Sequence, residues 1–235
     1  MLKKLWPYLL GSMALGLDAY VIAGLLSNIA KDLDASESII GLGVTAFTAA
    51  YALSGPILSG KAGVHARKSL VIGIIIFSLA NLATALSPNA LTFILSRVVA
   101  GAAAGVYSPL SSAVAAHSVP EEKSGKALSL VLAGLALGTV LGVPTGLIIA
   151  TNFGWRLTIA MITTIGVIAL LGVALNKKHT VPTIPASSFK ERAKVMTEKT
   201  NIFTVLVTLF VGTASLGLYT YISTVLAHTP LDNHQ

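Results

Sequence analysis

Apolar residues run along this chain in seven blocks separated by polar gaps. A helix rising about 1.5 Å per residue needs about 20 residues to cross roughly 30 Å of hydrocarbon. Blocks of that length occupy residues 6–29, 38–60, 69–86, 90–115, 127–150, 155–175 and 202–227. The gaps are short except for one. The stretch "NKKHTVPTIPASSFKERAKVMTEKTN" carries prolines, charges of alternating sign and a candidate surface helix around 189–196. The pattern therefore predicts a six-helix bundle over 1–176, a linker loop over 177–201, and a seventh transmembrane helix with a short tail over 202–235.

Composition strengthens this picture. The chain is 54% hydrophobic and 11% charged, whereas a soluble domain has about a quarter charged residues. Mean hydropathy is +0.81. The expected fold class is an all-α membrane protein. The first block is too long and too near the start to read as a cleaved signal peptide. With no cysteine, disulfides and thiolate metal sites are excluded.

A net charge of +7 raises the question of nucleic acid, but the cations fall in the gaps between apolar blocks. With a cytoplasmic N-terminus, Lys3, Lys4, Lys61, Arg67, Lys68, Lys123, Lys126, Lys177, Lys178, Lys190, Arg192, Lys194 and Lys199 all lie inside. Only Lys31 and Arg156 then lie outside, with Arg97 within the bilayer. That is the bias of a multi-pass plasma-membrane protein. Lipid, not nucleic acid, is the expected partner, and the tail "HTPLDNHQ" is expected outside.

Two ionisable side chains fall deep within the blocks: Asp18 in the first, and Arg97 about two turns into the fourth. An isolated charge there costs roughly 2.5–3.5 kcal/mol on insertion scales, and pairing across a bundle offsets it. The pair is either structural or proton-coupling. A carboxylate drawn in opposite directions by desolvation and a guanidinium can change protonation when water gains access. In the fifth block Gly134, Gly138, Gly142 and Gly146 recur every four residues, with Pro144 adding a bend; Gly101 and Gly105 follow Arg97 in the fourth. Such stripes let backbones approach closely, and spacing alone fits a static contact as well as a hinge. Tyr20, Tyr51, Asn81, Tyr107 and Ser108 are candidates for lining a substrate cavity.

Other chemistries find little support. An intramembrane serine hydrolase needs a base near its nucleophile, and no block contains a histidine or lysine deep inside. The histidines sit at block ends or in gaps, none at metal-ligating spacing, so neither metal nor cofactor is expected. The seventh block has no lysine for a retinal Schiff base. Its polar face, with Thr213, Tyr219, Tyr221 and Ser223, has no evident partner within the bundle.

These motifs resemble a known family. "SRVVAGAAAG" is similar to the fourth-helix motif of the major facilitator superfamily, and "GLALGTVLGVPTG" to the fifth-helix motif of its drug:proton antiporters. "LDAYVIAGLLSNIAKDLDAS", "YALSGPILSG" and "GVPTGLIIATNFGWRLTI" resemble the first helix, second helix and fifth-to-sixth junction of its purine-, arabinose- and chloramphenicol-efflux branch. The likeness runs over residues 10–221. In "SGKAGVHARKS" the cytoplasmic loop motif keeps Arg67 and Lys68 but has Gly63 and Val64 at its aspartate and first arginine positions, and Ala66 at its glycine.

The resemblance implies efflux of a small organic molecule (a drug, a nucleobase or nucleoside, or a sugar) by proton antiport, and no enzymatic activity. It also implies an inverted repeat between spans one to three and four to six, although no sequence repeat is evident. Family members have two six-helix halves, while seven blocks are present here. The expectation is an N-terminal half plus one helix: a fragment or frameshifted product, or a chain that pairs with a separate C-terminal half or a second copy. The alternative is a transport-inactive remnant or accessory membrane protein that keeps the half-transporter fold.

Overall fold

The computed structural model describes residues 1–175, 194 and 197–227, with 59–61 and 215–227 described as backbone only. The elements among these residues are helical. The chain divides into two compact units, Met1–Ser187 and Ser188–Gln235. In the first unit six helical runs are long and apolar enough to cross a membrane. They are Leu2–Asp32, Glu37–Leu58, Gly63–Ala85, Ala90–His117, Glu121–Phe153 and Trp155–Leu175, the first to sixth spans. Each contains or closely overlaps one predicted block. The first and fifth spans outrun theirs because Lys3, Lys4, Lys31, Asp32 and Glu121 end an apolar pattern without ending a helix.

The second unit holds a helix over Lys199–Ala227, which includes the seventh predicted block. The expected surface helix, the cations Lys177, Lys178, Lys190 and Arg192, and the tail lie outside the described residues. So do the side chains of Lys61, Tyr219, Tyr221 and Ser223.

Short polar residues set the span boundaries. Ser36 Oγ accepts from the Ile39 N–H at 3.3 Å and starts the second span; Asn89 Oδ1 accepts from the Thr92 N–H at 3.0 Å and starts the fourth. Both fill an N-terminal donor that the helix cannot satisfy itself. Between the fifth and sixth spans, Gly154 adopts φ 89°, ψ 154°, a region that glycine alone enters cheaply. The turn is therefore a single residue.

The second span packs most extensively on the fourth, and the first on the fifth; the third packs on the fourth and sixth, and the first also on the sixth. Exchanging spans one to three with four to six maps this pattern onto itself. The two halves of the bundle thus share one packing plan that their side chains do not reveal.

Glycine makes the closest of these contacts possible. A Cβ at Gly101 or Gly105 would run into the Phe47 or Tyr51 carbonyl of the second span, and one at Gly134 or Gly138 into the Leu9 or Met13 carbonyl of the first. Gly16 returns the contact against Leu135 of the fifth span. Farther along the stripe, Gly142 faces the Leu17 side chain, and Gly146 faces Val21 and Thr158. Within this stripe Gly138–Gly142 forms a π-turn. It ends two residues before Pro144, which has no N–H for the Val140 carbonyl and whose ring crowds it, and a wider turn relieves that clash.

Candidate functional site

The first span is enclosed all round over Ala14, Leu15, Gly16, Leu17 and Asp18. The Asp18 carboxylate is thus held within the bundle, where its exposure is 0%. The fourth span turns Arg97 toward it from the opposite wall, at 1% exposure. Arg97 Nη1 donates to Asp18 Oδ1 at 2.7 Å, and Nη2 donates to the Asp18 carbonyl at 3.4 Å. Asn81 of the third span completes the group. Its Nδ2 donates to Asp18 Oδ2 at 3.4 Å and to the Phe77 carbonyl at 3.1 Å, while its Oδ1 accepts from Arg97 Nη1 at 3.5 Å.

The Phe47 ring of the second span lies 4.3 Å from the guanidinium carbon, a cation–π contact in a desolvated setting. Four spans thus meet on one charge pair. One turn toward the end of the third span, Thr84 Oγ1 and Ser96 Oγ share a hydrogen bond of 2.8 Å, so polar groups continue beyond the pair. Both charges are out of water, and each makes the other tolerable.

The remaining candidates separate. Tyr51 and Ser108 line one open groove of about 390 Å³ between the second and fourth spans, with Ala52, Gly55, Pro56, Gly105 and Pro109. Tyr20 is half-buried. Asn81 and Tyr107 are fully enclosed, so neither walls an open cavity in this conformation. Asn81 belongs to the charge pair, and the Tyr107 hydroxyl sits against Gly11 with no hydrogen-bond partner.

Of the loop-motif residues, Lys68 is exposed. Arg67 donates to the Val173 and Ala174 carbonyls at 3.3 and 2.9 Å. A cation on carbonyls near the C-terminal side of a helix matches their lone pairs and the helix dipole. In this structure Arg67 therefore ties the start of the third span to the last described turn of the sixth.

The opposite end of the bundle holds a clasp that the sequence pattern does not announce. Arg156 pairs with Asp32, which also accepts from Trp155 Nε1 at 3.1 Å. Arg156 Nη2 donates to the Ser87 carbonyl at 3.0 Å, and its guanidinium lies 4.6 Å from the Trp155 ring. Trp155 in turn meets Phe93 edge-on, with ring centroids 6.2 Å apart. The end of the first span, the start of the sixth and the connection between the third and fourth are tied together here.

The charge pair in the clasp is about 40% exposed, which limits its own value to less than about 1 kcal/mol. Arg156 holds a carbonyl and an indole as well. Arg156→Ala is therefore expected to lower the melting temperature of the detergent-purified protein more than Asp32→Asn does. An equal or larger drop for Asp32→Asn would show that the ion pair, not the carbonyl and ring contacts, holds the clasp.

Comparison with known proteins places this geometry. The model of the Major Facilitator Superfamily matches residues 8–232. An uncharacterized MFS-type transporter of Bacillus subtilis, YfhI, is 30% identical over 93% of this chain and 55% of its own length. The chloramphenicol resistance protein of Streptomyces lividans is 32% identical over 62% of this chain and 37% of its own. The chain spans about half the length of the full-coverage relatives. Among solved structures, the proton:xylose symporter XylE bound to 6-bromo-6-deoxy-D-glucose superposes with a TM-score of 0.66 at 21% identity, over 74% of this chain and 44% of that one. That likeness speaks for the fold. A family match across nearly the whole sequence, on a bundle of six membrane-length helices, means that the chain belongs to the Major Facilitator Superfamily.

Proposed function

We propose that the chain forms the N-terminal half of a proton antiporter that exports a small organic molecule, with Asp18 and Arg97 as its proton-coupling pair. The observation that carries this reading is the enclosed Asp18–Arg97–Asn81 group. A proton arriving on Asp18 cancels its charge and removes the strongest of Arg97's hydrogen bonds. Arg97 then keeps only the Asp18 carbonyl, Asn81 Oδ1 and the Phe47 ring. Because Arg97, Asn81 and Phe47 stand on different spans, protonation is felt as a change in how the first span packs on the other three. Alternating access in transporters of this build works by moving one half against the other around a midplane site.

The substrate is a drug, a nucleobase or nucleoside, or a sugar; the chloramphenicol resistance relative supports the drug class. Tyr51 and Ser108, in their shared groove, are the residues placed to touch it. The glycine contacts are the surfaces on which the helices shift. The distribution of basic residues supports a cytoplasmic N-terminus and a C-terminus outside the plasma membrane.

Asp18→Asn tests the reading. In everted vesicles containing the chain, alone or with a second half, a drug panel that includes chloramphenicol is expected to dissipate an imposed proton gradient. The variant is expected to lose this response while reaching the membrane at the parent's level. Proton-driven transport that survives in Asp18→Asn would remove the coupling role. A parent that moves no proton with any drug, in either arrangement, would favour a transport-inactive half.

A further inference from the structure

At the N-terminal end of the bundle a groove of about 380 Å³ opens between the first and sixth spans, lined by Lys3, Trp6, Ile168, Leu171, Gly172 and Leu175. Its chemistry is graded along its length. An ammonium stands at the mouth, an indole follows, and an aliphatic wall runs into the membrane. Gly172 lets the Trp6 ring lie close against the sixth span: a Cβ there would come within 2.6 Å of it.

Among the described residues lining the mouth, charge has one sign. Lys3 and Lys4 are both exposed, and the first turn of the first span contains no acidic residue. Free backbone donors of that turn add partial positive charge. Arg67, on the Val173 and Ala174 carbonyls, and exposed Lys68 put two further cations at the same end of the sixth span. The indole is of the kind that settles at headgroup depth.

We propose that this groove binds one anionic phospholipid, with its phosphate on Lys3 and its neighbours and an acyl chain along Ile168, Leu171 and Leu175. Basic pockets between membrane helices select anionic headgroups, each nearby cation contributing to the attraction. A zwitterionic lipid brings its own cation to a mouth that is already positive. A soluble anion matches the ammonium but leaves the aliphatic wall unused. The site depends only on the chain spanning a bilayer, so it stands or falls separately from proton antiport.

Trp6 reports on its own site, because the chain has only two tryptophans and Trp155 lies at the other end of the bundle. In a Trp155→Phe background, brominated phosphatidylglycerol mixed into phosphatidylcholine vesicles is expected to quench Trp6 at a much lower mole fraction than brominated phosphatidylcholine does. Lys3→Gln and Lys4→Gln should each weaken that preference by about fivefold, and both together by about 25-fold. Soluble glycerol 1-phosphate should leave the quenching unchanged. Coincident quenching curves for the two lipids, an undiminished preference in the double lysine variant, or displacement by glycerol 1-phosphate would each overturn the site. If Trp155→Phe does not fold, the difference between the parent and Trp6→Phe gives the same readout. Asp18→Asn should leave the lipid preference intact.

Discussion

Arg97→Leu, with Asp18 left in place, is expected to destabilise the bundle by about 3–5 kcal/mol, the usual consequence of stranding one partner of a buried ion pair. The reason lies in what remains around the carboxylate. Asp18 is completely enclosed, and its shortest hydrogen bond, 2.7 Å, comes from Arg97. The other side-chain donor, Asn81 Nδ2, is 3.4 Å away and carries no charge. A leucine fills much of the vacated volume but leaves the anion without a counter-charge.

Thermal denaturation in detergent measures the loss. The companion double variant, Asp18→Asn with Arg97→Gln, should recover most of it, since two neutral amides can hydrogen-bond each other and Asn81 without a buried charge. Melting of Arg97→Leu at the parent's temperature would show that the pair does not hold the spans together. Failure of the double variant to recover would mean that shape, not charge, explains the loss.

Gly101→Leu and Gly134→Leu are the second large effect, and each should prevent recovery of a folded monomer. Overpacking a core typically costs about 1–3 kcal/mol and occasionally more. Here the obstruction is a carbonyl of the neighbouring helix main chain, Phe47 in one case and Leu9 in the other, and a main chain cannot rotate away as a side chain can. Gly125→Leu provides the control, because nothing lies within 4 Å of a Cβ at that position. Size-exclusion profiles and melting temperatures of the three variants separate the cases. Equal stability for Gly101→Leu and Gly125→Leu would mean that the second and fourth spans do not approach as described.

The parts of the structure that sequence reveals are those where a residue type is costly in its setting. A carboxylate and a guanidinium in apolar blocks have few ways to exist other than together, and Asp18 and Arg97 do meet. Glycines every fourth residue advertise a close contact, though not its partner, which is the first span. Asn81 carries no such mark: an amide in a membrane helix finds hydrogen bonds almost anywhere, and its place beside Asp18 depends on how the third span is turned. Phe47 is invisible for the same reason, one aromatic among many apolar residues.

The clasp is less legible still. Asp32 ends the first span, Ser87 lies between the third and fourth, and Arg156 begins the sixth, so their meeting follows from the tertiary arrangement of the spans. Arg67 looks like a loop cation in the pattern of basic residues, and only the end of the sixth span shows what it binds. The exchange symmetry of the packing is carried by backbone geometry, which two quite different sets of side chains can satisfy.

The glycine contacts leave an asymmetric signature on what the chain can become. Where Gly134 and Gly138 touch the first span, they touch the carbonyls of Leu9 and Met13, and every amino acid supplies the same carbonyl. The facing positions are thus chemically anonymous at the point of contact, while the glycines have no substitute. Drift over generations would be recorded on one helix and erased on the other, so that the two sides of a single seam age at different rates.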